Sequence, residues 1–331
     1  MATPLVDPYD RTVRDLRISV TDRCNFRCVY CMPEEGMKWL PRGELLTYEE
    51  LVRVARVCVE RFGFESIRIT GGEPTVRAHL PVLIERLSAL GVDLAMTTNG
   101  ATLAHQAREF AAAGLRRINI SLDSLRADRF EEIARRDALD QVLAGISAAL
   151  AAGLDPVKIN CVLVRDVNDD EILDFAAFGR SKGVEMRFIE WMPLDGGGEW
   201  AGDRVVPSSE VIAAIDAAWP LVAPDGGRAR DSAPAESYRY ADGAGAVGVI
   251  ASVTRPFCGS CDRIRLTAEG QLRNCLFSVR ETDVRSLLRG GATDDDLAAA
   301  IEAEVGRKWA GHQIGQVHFI RPARSMSQIG G

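Results

Sequence analysis

Short apolar runs alternate with longer stretches of helical periodicity from about residue 14 to residue 217. The runs have the length and β-branched content of buried strands, and the longer stretches place apolar residues three and four positions apart. The predicted strands are Leu16–Val20, Ser66–Thr70, Val92–Thr97, Arg117–Leu122, Val157–Val164 and Val184–Glu190. The predicted helices cover residues 47–62, 78–90, 101–113, 137–152, 168–182 and 207–217.

This alternation of strand and helix predicts an α/β fold with a parallel sheet covered by helices. Six repeats are too few for a closed eight-stranded barrel, so we expect a partial (incomplete) TIM-type (β/α)6 barrel. In such sheets the ligands bind at the carboxyl ends of the strands. Several predicted helices stop at a glycine, as helices commonly do; these glycines are Gly63, Gly91, Gly114, Gly153 and Gly183.

The pattern changes after about residue 218. Turn-rich segments at Pro224–Gly227 and Asp242–Gly248 separate short alternating runs, which predict a small antiparallel sheet. Two helices are predicted near residues 283–289 and 294–305, and the tail from Gly311 onward has no strong periodicity. We therefore expect residues 1–217 to form the partial barrel and residues 218–331 to form a smaller C-terminal α+β region that closes it.

Composition and charge exclude several functional classes. Hydrophobic residues make up 47% and charged residues 26% of the chain, as in an ordinary globular protein. The formal net charge of −7 argues against a general binder of nucleic acid or of anionic membranes. No run approaches the ~18 apolar residues of a membrane span, and the N-terminus lacks the pattern of a secretion signal. We therefore expect a cytoplasmic protein.

Six of the eight cysteines form two trios, whereas Cys58 and Cys161 lie among apolar residues, where free cysteines are usually buried. The first trio has the spacing C-x3-C-x2-C directly after the first predicted strand, and the second has C-x2-C-x13-C. Structural zinc needs a fourth ligand, whereas an iron–sulfur cluster on three thiolates keeps one iron open for a small molecule. A zinc-ribbon module remains the alternative for the second trio. The first trio is Cys24, Cys28 and Cys31, and the second is Cys258, Cys261 and Cys275.

Basic residues inside predicted strands indicate an anionic ligand. Buried charges usually pair with Asp or Glu, and such pairing is the alternative here. Six basic residues beside two cysteine trios favour a bound triphosphate, because guanidinium groups match phosphate oxygens. They are Arg17, Arg68, Lys158 and Arg187 in the barrel, and Arg263 and Arg265, which share one face of a later strand.

The segments CNFRCVYC (Cys24–Cys31) and GGEP (Gly71–Pro74) resemble signature segments of the radical S-adenosylmethionine enzymes. In that superfamily the open iron of a 4Fe–4S cluster binds S-adenosylmethionine, and one electron then cleaves it to a 5′-deoxyadenosyl radical. The second trio narrows the resemblance. Together with TTNG, RFIEWMP, FCGSCDRIRLT and the terminal Gly-Gly, it is similar to the family of molybdenum-cofactor biosynthesis protein A along essentially the whole chain.

The resemblance implies a GTP 3′,8-cyclase with two 4Fe–4S clusters and S-adenosyl-L-methionine as cofactors. Such an enzyme converts GTP to 3′,8-cyclo-7,8-dihydro-GTP in the first step of molybdenum cofactor (molybdopterin) biosynthesis. The implied partners are a flavodoxin- or ferredoxin-type electron donor, a downstream cyclic pyranopterin monophosphate synthase and a second copy of the chain in a homodimer. The alternative is a radical S-adenosylmethionine enzyme that modifies a peptide substrate with an auxiliary cluster.

The resemblance also assigns residues to ligands. The first trio would hold the cluster that binds S-adenosylmethionine, and the second trio would hold a cluster that contacts the substrate. The implied S-adenosylmethionine contacts are Tyr30, Gly72, Ser121 and Met192. The implied GTP contacts are Arg17, Arg68, Thr97, Lys158, Arg263, Ile264 and Arg265. Arg187, Gly330 and Gly331 are further candidates for GTP binding or catalytic support, the two glycines because the family's tail reaches into the barrel.

Overall fold

The computed structural model describes residues 2–195, 197–223, 232–317 and 319–330. The strands are β1 (Leu5–Val6), β2 (Thr12–Val13), β3 (Asp15–Ser19), β4 (Ser66–Thr70), β5 (Asp93–Thr98), β6 (Arg117–Ser121), β7 (Val157–Leu163), β8 (Glu185–Glu190), β9 (Leu221–Val222), β10 (Glu236–Tyr240), β11 (Ala246–Ile250), β12 (Arg263–Leu266), β13 (Gln271–Arg273) and β14 (Thr282–Asp283). The helices are α1 (Tyr48–Phe62), α2 (Leu80–Ser88), α3 (Leu103–Ala112), α4 (Ala127–Ala134), α5 (Leu139–Ala151), α6 (Ile172–Lys182), α7 (Ser208–Ala218), α8 (Val284–Arg289), α9 (Asp294–Val305) and α10 (Met326–Ile329).

One sheet in the described part of the chain contains every strand except the β1–β2 pair, in the order β14-β13-β12-β3-β4-β5-β6-β7-β8-β11-β10-β9. Strands β3 to β8 are parallel neighbours in chain order, which confirms the six predicted βα repeats. β12 pairs in parallel with β3, and β11 pairs in parallel with β8. Side chains from all eight of these parallel strands line one cavity, so the sheet curves into a partial barrel.

The sequence pattern predicted a separate small antiparallel sheet for the C-terminal strands, and this prediction is wrong. These strands continue the barrel sheet at both of its edges, and only the outermost pairs are antiparallel. The physical reason is that β3 and β8 each present an unpaired row of backbone N–H and C=O groups, which β12 and β11 satisfy. The division into residues 1–217 and 218–331 stays a prediction, with the sheet running across it. The predicted turn at Pro224–Gly227 lies outside the described residues.

Alternation along the parallel strands separates an apolar face from a polar face. In β3, Leu16 and Ile18 are buried in the hydrophobic core, whereas Arg17 between them lines the cavity. Arg68 in β4 lines the cavity between two buried isoleucines in the same way. Because side chains on a strand alternate between the two faces, the helices cover one face and the polar residues surround the cavity.

The sequence pattern predicted α1 but not α4 or α10. α1 begins with a capping box of Thr47 and Glu50 and ends at the predicted Gly63, which has the left-handed conformation. α4 has only eight residues, four of them charged, and α10 has only four residues, so each apolar pattern is too short to predict a helix by itself. Among the described residues, no helix is long and apolar enough to cross a membrane.

Candidate active site

The polar face of the sheet surrounds a cavity of about 300 Å³, a size typical of small-molecule sites. Both cysteine trios contribute to its wall. The two trios are some 230 residues apart in the chain. They face the same cavity because the sheet curves. The predicted contact residues in the wall are Arg17, Tyr30, Arg68, Gly72, Thr97, Ser121, Arg187, Met192, Arg263 and Arg265.

The first trio lies in the loop that follows β3. Nitrogen donors approach its first sulfur: the Phe26 N–H at 3.4 Å and the side-chain amide of Asn99 at 3.9 Å from Cys24 Sγ. Burial, with a further contribution from the charge of Glu73, raises the pKa of the Cys24 thiol to about 11. Burial and the neighbouring Cys24 raise the pKa of Cys31 to about 12. Such thiols ionise at neutral pH only when a metal replaces their protons, which suits a metal cluster.

The second trio lies at one end of the hairpin formed by β12 and β13. Cys261 comes two residues before β12, and Cys275 comes two residues after β13. Antiparallel pairing of these strands therefore brings the two cysteines to the same end, which explains their long spacing. Burial raises the pKa of the Cys261 thiol, but the cations of Lys308 and Arg263 lower it more, so the net pKa lies below the ordinary value.

The chemistry of these donors fits iron–sulfur clusters better than single metal ions. Each trio consists of free thiols that face the cavity, and the described residues contain no disulfide between them. In the described ranges no group of three or more His, Cys, Asp or Glu side chains is arranged to hold one metal ion. A zinc ribbon needs four ligands around one ion, whereas the second trio supplies three thiols.

The GGEP segment follows β4 and lies directly against the loop of the first trio. The Gly72 N–H donates to the Thr21 carbonyl at 2.7 Å. A Cβ at Gly72 would lie 2.5 Å from the carbonyl oxygens of Asp22 and Arg23, so only glycine fits. The Glu73 carboxylate is buried and accepts hydrogen bonds from the N–H and hydroxyl of Thr75, from the Thr98 hydroxyl at the end of β5 and from the Asn99 N–H. These contacts fix a stretch of backbone in the cavity wall beside the first trio.

Tyr30 is held in place by a residue that the sequence analysis did not select. Its hydroxyl donates to Asp123 Oδ2 at 2.6 Å, and the Val162 N–H donates to the other oxygen of Asp123 at 2.8 Å. Burial raises the pKa of Asp123 to about 6. Asp123 belongs to the segment SLDSL. Its position just past the end of β6 is the sequence feature that could have identified it as a site residue. Asn99, in the motif TTNG, was missed in the same way.

Three arginines form a row across adjacent strands of the sheet. Arg265 pairs in register with Arg17, and Arg17 pairs in register with Arg68. In the described structure Arg17 Nε and two nitrogens of Arg68 are buried without a hydrogen-bond partner. Burial, with a further contribution from the charge of Arg17, lowers the pKa of Arg68 to about 9. Donors left unpaired around a cavity indicate an anionic ligand with several oxygens.

Lys158 and Arg187, two of the other predicted basic residues, share one carboxylate partner. Lys158 Nζ lies 3.2 Å from a carboxylate oxygen of Glu185, and Arg187 Nε lies 2.7 Å from the other oxygen. Arg17 Nε also lies 3.8 Å from Asp15 Oδ1, and Arg263 Nη2 lies 3.6 Å from Asp262 Oδ1. The alternative of internal ion pairs therefore applies to four of the six predicted basic residues, and among the described ion pairs none includes Arg68 or Arg265. Lys158 is not part of the cavity wall, and the side chain of Ile264 lies in the hydrophobic core on the opposite face of β12.

The C-terminal tail enters the barrel. α10 places Met326 and Ser327 in the cavity wall, and the carbonyl of Gly330 accepts a hydrogen bond from Arg265 Nη1. A Cβ at Gly330 would lie 2.3 Å from the Thr70 hydroxyl, so the close approach requires glycine. Gly331, the other predicted tail residue, lies outside the described residues.

Comparisons with known proteins agree with this geometry. The sequence pattern of the Radical SAM superfamily matches residues 18–179, and that of Molybdenum Cofactor Synthesis C matches residues 184–314. The chain is 49% identical to a GTP 3′,8-cyclase of Mycobacterium sp. (strain KMS) over 330 residues, 99% of this chain and 94% of the relative. It is 46% identical to a GTP 3′,8-cyclase of Streptomyces coelicolor over 329 residues, 99% of this chain and 96% of the relative.

Among solved structures, the fold is similar to that of SuiB from Streptococcus suis bound to S-adenosylmethionine. The TM-score is 0.62 and the sequence identity 14%, with 91% of this chain and 68% of SuiB covered. SuiB bound to its precursor peptide SuiA gives the same TM-score at 13% identity, with 89% and 68% covered. At such identities the likeness concerns the fold alone.

Proposed function

The chain belongs to the GTP 3′,8-cyclase family of radical S-adenosylmethionine enzymes, and on that premise we propose that it converts GTP to 3′,8-cyclo-7,8-dihydro-GTP. The reaction removes the hydrogen from ribose C3′ and joins C3′ to C8 of the guanine. It is the first step of molybdenum cofactor biosynthesis. The observation that carries the proposal is one cavity faced by two cysteine trios and by the row Arg265–Arg17–Arg68.

The two trios are the proposed cluster ligands. Cys24, Cys28 and Cys31 would hold the cluster that binds S-adenosylmethionine, and the second trio would hold the cluster that contacts the substrate. When bound, the first cluster and S-adenosylmethionine supply one-electron cleavage of the sulfonium and hence the agent that removes the hydrogen atom. The chain itself positions the ligands and keeps water from the reacting atoms.

The proposed S-adenosylmethionine site uses the fixed backbone beside the first trio. Gly72 presents backbone without a Cβ, and Tyr30 is oriented by its hydrogen bond to Asp123. Ser121 at the end of β6 and Met192 just after β8 line the same cavity. Because these positions lie near the ends of several strands, they suit one long ligand with an amino-acid part and a nucleoside part, as S-adenosylmethionine has.

The proposed GTP site uses the arginine row for the triphosphate. The unpaired nitrogens of Arg17 and Arg68 would donate to phosphate oxygens, which match guanidinium geometry. Arg265 would be oriented by the Gly330 carbonyl, and Arg263 lines the cavity between this row and the second trio. Lys158, which pairs with Glu185, stays a predicted GTP contact. The remaining predicted contacts, Thr97, Ile264, Arg187 and Gly331, stay predictions.

The partners belong to the same proposal. We propose a flavodoxin- or ferredoxin-type protein as the electron donor and a cyclic pyranopterin monophosphate synthase as the enzyme that takes the product. A homodimer and a cytoplasmic location stay predictions. The alternative of a peptide substrate is not favoured, because the likeness to SuiB concerns the fold alone whereas the likeness to GTP 3′,8-cyclases covers 99% of the chain.

An anaerobic incubation of the reconstituted protein with S-adenosylmethionine and a reductant tests the proposal. With GTP present, we expect 5′-deoxyadenosine and the cyclised nucleotide to form in equal amounts. Omission of GTP should remove most of the 5′-deoxyadenosine, and ATP in place of GTP should yield no cyclised product. Formation of 5′-deoxyadenosine at the same rate with and without GTP, and no cyclised nucleotide, would contradict the proposal.

A further inference from the structure

Lys308 lies behind the second trio, outside the cavity wall. It follows α9 and is only 4% exposed. Its ammonium group donates to the carbonyl oxygens of Arg263 at 2.8 Å and Asn274 at 2.7 Å, and it lies 3.7 Å from Cys261 Sγ. Nothing in the sequence around Lys308 predicts a role for it.

These contacts join the two segments that carry the second trio. Arg263 begins β12, two residues after Cys261, and Asn274 directly precedes Cys275. One ammonium group therefore ties the two arms of the β12–β13 hairpin together at the end where both sulfurs lie.

The charge of Lys308 has no carboxylate partner among the residues that the structure describes, since none of the ion pairs there includes it. A buried ammonium is costly unless a counter-charge lies nearby. The nearest candidate for that counter-charge is the Cys261 sulfur. Arg263 also reaches this sulfur, at 3.8 Å, but it lines the cavity, where it is available to a substrate. Lys308 lies outside the cavity wall, so its contact with Cys261 does not depend on whether a ligand occupies the cavity.

We propose that Lys308 is a positioning residue that holds the hairpin of the second trio and gives the bound cluster a fixed positive charge at its Cys261 ligand. The inference rests on the proposed function, in which Cys258, Cys261 and Cys275 hold that cluster. Hydrogen bonds and positive charge at a ligand sulfur stabilise the reduced state of a cluster and so raise its reduction potential. Removal of the charge should therefore lower the potential of the second cluster and leave that of the first unchanged.

Lys308→Gln and Lys308→Met in the full-length protein test this inference. Iron per chain and the midpoint potentials of both clusters are measured on anaerobically reconstituted protein, the potentials by a redox titration followed by electron paramagnetic resonance. Cys261→Ala identifies the titration wave of the second trio. Arg53→Met is the matched control, because Arg53 donates to the Ala292 carbonyl between two outer helices and contacts no thiol.

We expect the second wave to move to a more negative potential in both Lys308 variants, or the iron of the second trio alone to be lost. The first wave should stay in place, and Arg53→Met should leave both waves unchanged. Unchanged midpoints at full iron content would overturn the inference. An equal shift of both waves, or loss of both clusters together with a lower melting temperature, would also overturn it, because either result marks a general structural role.

The same measurements separate this inference from the assignment on which it rests. Two clusters correspond to about eight iron atoms per chain, and Cys261→Ala should lose about four of them. If Cys261→Ala keeps about eight, the second cluster is not held by this trio and the proposed function is wrong at that site. If Cys261→Ala loses about four and the Lys308 variants do not move the wave, only the role of Lys308 is wrong.

Discussion

Replacement of Arg68 by methionine should change stability and GTP affinity in opposite directions. Without a ligand, two nitrogens of Arg68 are buried with no hydrogen-bond partner, and Arg17 beside it carries the same charge. A buried polar group without a partner costs about 1–3 kcal/mol. Arg68→Met removes that cost, and the nearby carboxylate of Asp15 keeps its ion pair with Arg17. We therefore expect the free energy of unfolding of the ligand-free protein to rise by about 1–3 kcal/mol.

GTP binding should weaken in the same variant. A hydrogen bond to a charged group contributes about 1.5–3 kcal/mol, so loss of one Arg68 contact raises the dissociation constant of GTP by about 10- to 150-fold. Thermal unfolding without ligand measures the first effect, and anaerobic isothermal titration with GTP measures the second. The matched control is Arg187→Met, which breaks the ion pair with Glu185 and should lower stability.

Two results would refute this reasoning. If Arg68→Met lowers the free energy of unfolding as much as Arg187→Met does, Arg68 has a structural partner and is not held ready for an anion. If Arg68→Met leaves the dissociation constant of GTP unchanged, the triphosphate does not reach the arginine row. A parallel titration with S-adenosylmethionine should show no change, because Arg68 belongs to the proposed GTP site.

Three further predictions concern the two clusters and the tail. Gly72→Ala should weaken S-adenosylmethionine binding at least tenfold in a titration, whereas Gly43→Ala, where a Cβ would meet nothing within 4 Å, should not. Deletion of Gly330 and its C-terminal neighbour should leave the melting temperature and iron content unchanged but lower cyclisation at least tenfold, and a peptide of the tail should restore part of it; full turnover would mark the tail as inert. Cys28→Ala should abolish S-adenosylmethionine cleavage, whereas Cys261→Ala should keep cleavage and lose cyclised product; equal loss of cleavage in both would contradict separate roles.

The sequence predicted the parts of the fold that depend on local pattern. Alternation placed Arg17 and Arg68 on the polar face of their strands, because a strand sends successive side chains to opposite faces. Cysteine spacing marked both trios, since the ligands of one cluster must lie within a few ångströms of each other. The C-x2-C-x13-C spacing acquires its meaning from the β12–β13 hairpin, which brings Cys261 and Cys275 together.

Long-range pairing and shared hydrogen bonds could not be predicted in the same way. Nothing local to β12 or β11 shows that each pairs in parallel with a strand far away in the chain. Asp123 and Lys308 look like ordinary charged residues in the sequence, and only the structure shows that they bind Tyr30 and the second trio. Lys158 was predicted as a phosphate contact from its type and strand, but which carboxylate lies beside a buried cation is decided by sheet register.

The proposed reaction transfers the hydrogen atom of ribose C3′ to 5′-deoxyadenosine, and this transfer can be followed with an isotope. GTP that carries deuterium at C3′ is incubated anaerobically with the reconstituted protein, S-adenosylmethionine and a reductant, and the 5′-deoxyadenosine is analysed by mass spectrometry. We expect one deuterium in the 5′-deoxyadenosine and none at C3′ of the cyclised nucleotide. Unlabelled 5′-deoxyadenosine, with the deuterium still on the nucleotide, would contradict it.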